Sequence, residues 1–381
     1  MNWMLGLTWA QAAAWRLRRH HLHERAPAGS LLAVASRLCG LHAQVLSSAE
    51  LTAWVRVESL DRGTVQQALW NDRTLVKTWA MRGTLHLLPS VELRLWHAAL
   101  SMSRRYRSPA QWKKYFGISM ADLDRLNHAI GLALDGRVLT REELVLEVKR
   151  HTRSKALVTA IAQSSWGTVL KPAAFAGRLC FGPGLGQRVR FTCPDSWLGT
   201  ASPKIEPHVA TAEITRRFLA AYAPATAHDL ARWWGGGGVA AARQWIAALG
   251  DEVAPVDLDG TNAWMLSAHA AEARALPPLR SARLLPGFDQ YVVGSSHHAD
   301  HLLPGKLRHR VFRPQGWISP VLLVNGLMEG VWRHEIKGSR VTVVVEPFRK
   351  PPAWVRRAAG LEAERFAHFL GLTLDLAWKS G

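Results

Sequence analysis

Thr64-Val65-Gln66-Gln67-Ala68-Leu69-Trp70-Asn71-Asp72-Arg73-Thr74-Leu75-Val76-Lys77-Thr78-Trp79-Ala80-Met81-Arg82-Gly83-Thr84-Leu85-His86-Leu87-Leu88 is the stretch that decides the fold. Thr64 to Trp70 reads as a short helix, and Asn71-Asp72 breaks it. From Thr74 to Ala80, and again from Gly83 to Leu88, the pattern changes to strands, with Met81-Arg82-Gly83 as the turn. Just upstream, Ser48 to Trp54 opens with a capping serine and predicts another helix. Two short helices followed by a hairpin is a helix-turn-helix with a wing. Downstream, Pro89 to Leu93 begins a helix that leads into the basic run Arg104-Arg105-Tyr106-Arg107.

Towards the N-terminus, Thr8 caps a helix reaching Arg18, and Pro27 with Gly29 ends that region. Ser30 to Leu38 is a second, largely apolar helix, with Gly40 as its terminator. Towards the C-terminus the same layout recurs. Helices are expected at about 120–134, 140–152 (Thr140 and Glu143 have capping-box spacing) and 155–175. A hairpin from Arg178 to Cys193 follows, turning at Gly182 to Gly186. Helices at about 208–222, 226–234 and 239–249 then precede strands at 252–257 and 262–266. The repetition is one of layout and not of residue identity.

Beyond residue 280 short strands dominate: Ser281 to Pro286, His309 to Phe312, Trp317 to Val324, Leu327 to His334 and Arg340 to Glu346. A helix from Ala353 to Leu370 closes the chain, and Gly294 to His301 is expected to be a surface loop. The expected fold class is α+β. Three tandem winged-helix units (1–118, 119–202, 203–280) lead into a small C-terminal β-barrel-like domain or curled sheet (281–381).

The totals bound the function. The chain has 381 residues with 48 Lys+Arg against 29 Asp+Glu, a formal charge of +19. That excess points to a polyanion. No apolar run approaches the roughly 18 residues of a membrane span, and arginines interrupt any signal-like core near the N-terminus. A nucleic acid is therefore expected and a membrane is not. Cys39, Cys180 and Cys193 are odd in number and widely spaced. They fit a reducing cytoplasm and form no zinc motif.

Leu38-Cys39-Gly40-Leu41-His42-Ala43-Gln44 carries the chemistry. Apolar flanks deliver two polar side chains, His42 and Gln44, two positions apart. Both can hold and polarise a water, and neutral imidazole can take its proton. Neither is a strong nucleophile, and no lysine is near to form a Schiff base. Such a pair suffices when the leaving group is already good, as with an N7-alkylated purine, whose positive charge weakens the glycosidic bond. From the residues alone, His42 capping the helix and Gln44 satisfying a buried carbonyl is the favoured reading, because a His-x-Gln triplet is not specific.

Several stretches, in order, resemble the AlkZ/YcaQ-type bacterial DNA glycosylases. They are Leu38 to Gln44, Thr78 to Leu87, Gly177-Arg178-Leu179-Cys180-Phe181-Gly182-Pro183, Pro224-Ala225-Thr226 with Asp229 to Trp233, Leu284 to Asp289, and Asn325-Gly326 with Gly330 to Arg333. The resemblance implies tandem winged helices, a C-terminal barrel and a catalytic Gln-x-Gln or Gln-x-Asp motif. This chain departs at the first position, where it has His42, while Gln44 matches the AlkZ-type glutamine. The implied activity is a monofunctional glycosylase of base excision repair. It would excise bulky cationic N7-alkylguanine adducts from duplex DNA, without cofactor, in self-resistance to a DNA-alkylating natural product. Unhooking of interstrand crosslinks is an alternative substrate for the same chemistry.

Further residues are candidates. Arg82, Thr84 and His86 on the first wing, Arg104, Arg105 and Arg107, and Arg188 and Arg190 on the second hairpin are expected to contact DNA, mainly at phosphates. The Gly-rich tip of that hairpin suits the minor groove. Trp79 and Asp289 are supporting candidates. His297, His298 and His301 with Asp300 lack a regular element to fix them, so no metal is expected. A monomer is expected. The rival reading is a non-catalytic winged-helix regulator, which would favour one DNA sequence and dimerise on it.

Overall fold

Helix boundaries follow the caps. In the computed structural model, which describes residues 5–102, 109–164, 167–199, 204–295, 299–303 and 305–379, Thr8 accepts from the Gln11 N–H at 3.2 Å and opens the helix Trp9–Arg19. Thr140 and Glu143 form the expected capping box on Arg141–Thr152. The helices Thr64–Trp70, Met120–Leu134 and Ala353–Leu370 have the expected limits. The fold is mixed α and β, with small open sheets among the described residues. The chain divides into two compact units.

The first unit comprises Met1–Val65, Arg216–Leu230 and Leu249–Gly381. One of its sheets contains the hairpin Val253–Leu258 and Thr261–Leu266, with an unanticipated strand, Leu5–Leu7, lying parallel to the first of these. Leu7, Trp15, Val256, Leu258 and Met265 form the core beneath it. The second sheet corrects the expected barrel. Its five strands run in the order Ala282–Leu285, Val321–Val324, Leu327–Lys337, Arg340–Pro347, Thr373–Trp378, and it is open. The helix Ala353–Leu370 is a crossover that returns the chain parallel to Arg340–Pro347, and the two edge strands, Ala282–Leu285 and Thr373–Trp378, do not pair. His309 to Phe312, expected as a strand, falls mostly within the short helix Arg308–Val311. The expected loop at 294–301 includes the helix Ala299–Leu302, whose His301 stacks on Trp9 at 4.2 Å. His297 and His298 lie outside the described residues.

The second unit comprises Gln66–Thr215 and Ala231–Ala248. It contains the antiparallel hairpin Leu75–Trp79 and Leu85–Pro89. It also holds a three-stranded sheet built from Leu139–Thr140, Cys180–Leu185 and Arg188–Thr192. Trp79 joins them, with its ring 4.8 Å from Phe181 and 6.1 Å from Phe191. The helix expected over 155–175 is two helices, Lys155–Gln163 and Lys171–Phe175. No helix among the described residues is long and apolar enough to cross a membrane.

Candidate active site

The site begins where the helix Leu31–Arg37 stops. Cys39 (φ 59°) and Gly40 (φ 94°) turn the backbone left-handed, and the Gly40 N–H donates to the Ala35 carbonyl at 2.7 Å. Glycine tolerates that conformation without a Cβ penalty. Two buried side chains satisfy the carbonyls released there. The Tyr222 hydroxyl donates to the Leu38 carbonyl at 2.9 Å, and the Gln290 amide donates to the Gly40 carbonyl. The following segment is extended, so alternate residues face opposite ways. Leu41 and Ala43 are fully buried, while Gln44 is exposed. His42 keeps only 5 % exposure.

The imidazole has a fixed orientation. Phe288 stacks on it with ring centroids 5.4 Å apart and planes 14° apart. Phe288 itself adopts a left-handed conformation (φ 59°), next to Asp289. Asp289 is fully buried and accepts from both Arg56 Nη atoms, at 2.6 and 2.7 Å. It also caps the helix Gln290–Gly294 by accepting from the Tyr291 N–H at 2.9 Å. Residues 288, 289 and 290 thus act together: one ring on His42, one buried ion pair, one amide on the turn before His42. Phe288 and Gln290 were not singled out from sequence, although Phe288 lies inside the Leu284 to Asp289 stretch.

A cationic cluster also surrounds the helix that leads into this turn. Arg37 is exposed on its last turn. Burial first, then the Arg37 charge, lowers Arg19 to about 10 and His21 to about 4. His269 is lowered by burial and by the charges of Arg19 and Arg37. The charges of Arg18, Arg19 and Arg37 thus act on one another here, on the first unit. Sequence reading did not single out this cluster, because Arg18 and Arg19 lie on one helix and Arg37 on another.

The expected contacts on the second unit divide. Arg188 is exposed at the hairpin tip, beside exposed Leu185 and Val189. Arg190 is half-buried, and its Nε donates to the Pro183 carbonyl at 2.7 Å. Arg82 occupies a left-handed turn (φ 58°), donates to the Trp233 carbonyl at 2.6 Å and lies 3.4 Å from His86 Nε2. A Cβ at Gly235 would meet the Arg82 Cα at 2.5 Å, so only glycine fits against that turn. His86 is fully buried, with Nδ1 at 3.1 Å from the Thr84 carbonyl, and as placed it cannot reach a phosphate. Thr84 donates to the Met81 carbonyl at 3.1 Å. These three side chains hold the wing turn together. Trp79 is core. Arg104, Arg105 and Arg107 lie outside the described residues.

His42 and Gln44 thus follow the end of a helix, with the imidazole stacked on Phe288 and the buried Arg56–Asp289 pair behind that ring. Comparison with known proteins gives the family. Residues 35–369 match the family described as DNA glycosylase AlkZ-like. The interstrand DNA cross-link repair glycosylase of Streptomyces sahachiroi is 37 % identical over 367 residues, covering 93 % of this chain and 97 % of that one. The solved structure of the Streptomyces sahachiroi DNA glycosylase AlkZ superposes with a TM-score of 0.88 at 36 % identity, covering 99 % of this chain and all of the other. The chain belongs to the AlkZ-like DNA glycosylase family. It is a hydrolase of the N-glycosyl bond between base and deoxyribose, and its substrate is DNA.

Proposed function

We propose that this glycosylase excises bulky, cationic N7-alkylpurines from duplex DNA and leaves an abasic site. His42 and Gln44 share one water. Gln44 orients it towards the anomeric carbon, and His42 orients it and accepts its proton as the bond to the sugar forms. The base leaves as a neutral purine, because alkylation already supplied the positive charge. No covalent enzyme intermediate is needed, and the first lysine of the chain is Lys77. The single observation that carries this reading is the stacked His42–Phe288 pair on a turn anchored by Gln290 and Asp289.

DNA is held through phosphates by the Arg19 and Arg37 region on the first unit and by Arg188 on the second hairpin. We read the hairpins at 75–89, 180–192 and 253–266, with the helices before them, as three winged-helix units. The protein works as a cytoplasmic monomer, in self-resistance to an alkylating natural product. Crosslink unhooking is a second reading, favoured by the name of the Streptomyces sahachiroi relative. It differs in substrate and not in chemistry. The test incubates alkylated duplex with purified protein and follows released base and abasic sites. Wild type releases the adduct, and His42→Ala and Gln44→Ala do not. Full activity in both variants would remove the site assignment. Sequence-specific binding of undamaged duplex without release would favour a regulator.

A further inference from the structure

Trp317 is the exposed tryptophan among the described residues, with 55 % of its surface open. Trp15, Trp54, Trp79, Trp96, Trp112, Trp233, Trp234 and Trp332 are all buried. Single exposed apolar side chains are common, and it is the location of this ring that matters. Trp317 meets Phe288 edge-on at 5.0 Å and 77°, and Phe288 in turn stacks on His42 at 5.4 Å. All three rings belong to the first unit. The exposed indole is therefore one ring removed from the imidazole.

The backbone beneath Trp317 is rigid. The Arg313 N–H donates to the Trp317 carbonyl at 2.8 Å, and the Ser319 N–H donates to the Val311 carbonyl at 2.9 Å. Phe312 and Ile318 form an antiparallel bridge between these bonds. Gln315 (φ 58°) and Gly316 (φ 76°) make the tip. The result is a small pinned hairpin that presents the ring in one place, so a planar ligand loses little conformational freedom on meeting it.

We infer that Trp317 is a specificity-determining residue of this site, a wall against which the planar, apolar body of the alkyl group stacks while His42 and Gln44 act on the sugar. This rests on the reading of His42 and Gln44 as the catalytic pair. A small alkyl group such as methyl offers nothing to stack. An aromatic one does, and a base–aromatic contact of this kind changes binding by roughly tenfold or more.

The experiment uses the full chain and two duplexes, one carrying N7-methylguanine and one carrying N7-benzylguanine. Binding is followed by fluorescence anisotropy of labelled DNA and excision by release of base. For Trp317→Ala, the preference for the benzyl over the methyl lesion, in both Kd and kcat/KM, is expected to fall about tenfold. Trp317→Phe keeps most of that preference. An unchanged preference in Trp317→Ala overturns the inference. So does a parallel loss on both lesions and on undamaged duplex, which would make Trp317 a support for Phe288 or a general DNA contact. If wild type excises neither base, the catalytic reading fails, and the binding preference still decides the part played by Trp317.

Discussion

Asp289 is fully buried, and two neighbouring features depend on it. Its carboxylate neutralises a fully buried Arg56 and caps the helix that starts at Gln290. Asp289→Asn removes the charge and leaves the guanidinium buried without its counter-ion. Breaking a buried pair from one side costs roughly 3–5 kcal/mol. Urea unfolding of Asp289→Asn should show a loss of that order; a variant as stable as wild type would mean that water reaches Arg56. The residue triplet around His42 stands out in the sequence because apolar flanks deliver two polar groups. Its support was not legible. Phe288 and Gln290 are nearly 250 positions away, and no local pattern reports a ring stacked on an imidazole across that separation. Burial misled at His86, since an alternating strand does not show which face of a wing is covered.

At the scale of elements, caps and turns carried the reading. Thr8, Thr140 and Ser119 each close a capping box at a helix start. These are short-range signals. The strands that went unanticipated depend on long-range pairing. Leu5–Leu7 is three residues long and becomes a strand only because residues 253–258 lie beside it. Thr373–Trp378 alternates, but its partner is parallel and reached through a crossover helix, which local periodicity does not show. The expected barrel opened for the same reason. The hairpin around residues 180–192 gives the prediction that belongs here. Its tip exposes Arg188 with Leu185 and Val189. Arg188→Ala should weaken binding evenly across DNA sequences and lower the salt dependence of log K by about 1. A titration of Kd against salt checks this, and an unchanged slope would place the tip off the DNA.

Across the whole molecule, charge and buried imidazoles set how the protein responds to its medium. The net +19 makes DNA binding steeply salt-dependent. His97, in the second unit, is driven down to about 4 by burial, with Arg94 adding to the effect. His21, in the first unit, is driven to a similar value. Both are neutral when folded and gain a proton on unfolding between their ordinary value of 6.5 and about 4. The unfolded state binds more protons in that window, so stability is full above it and is lost as pH falls through it. Melting temperature should drop across that range, and His97→Leu should flatten the drop; a flat wild-type profile would show that neither histidine is held neutral.

One rate comparison bears most directly on the whole account: single-turnover release of an N7-alkylguanine from duplex DNA by wild type, His42→Ala, His42→Gln and Gln44→Ala. The two alanine variants should each lose about a hundredfold or more, the scale of a positioned acid–base group. His42→Gln, which keeps a polar group able to orient the water and cannot accept its proton, should fall between wild type and His42→Ala. Alanine variants that release the base as fast as wild type would contradict the assignment of hydrolysis to this imidazole and carboxamide.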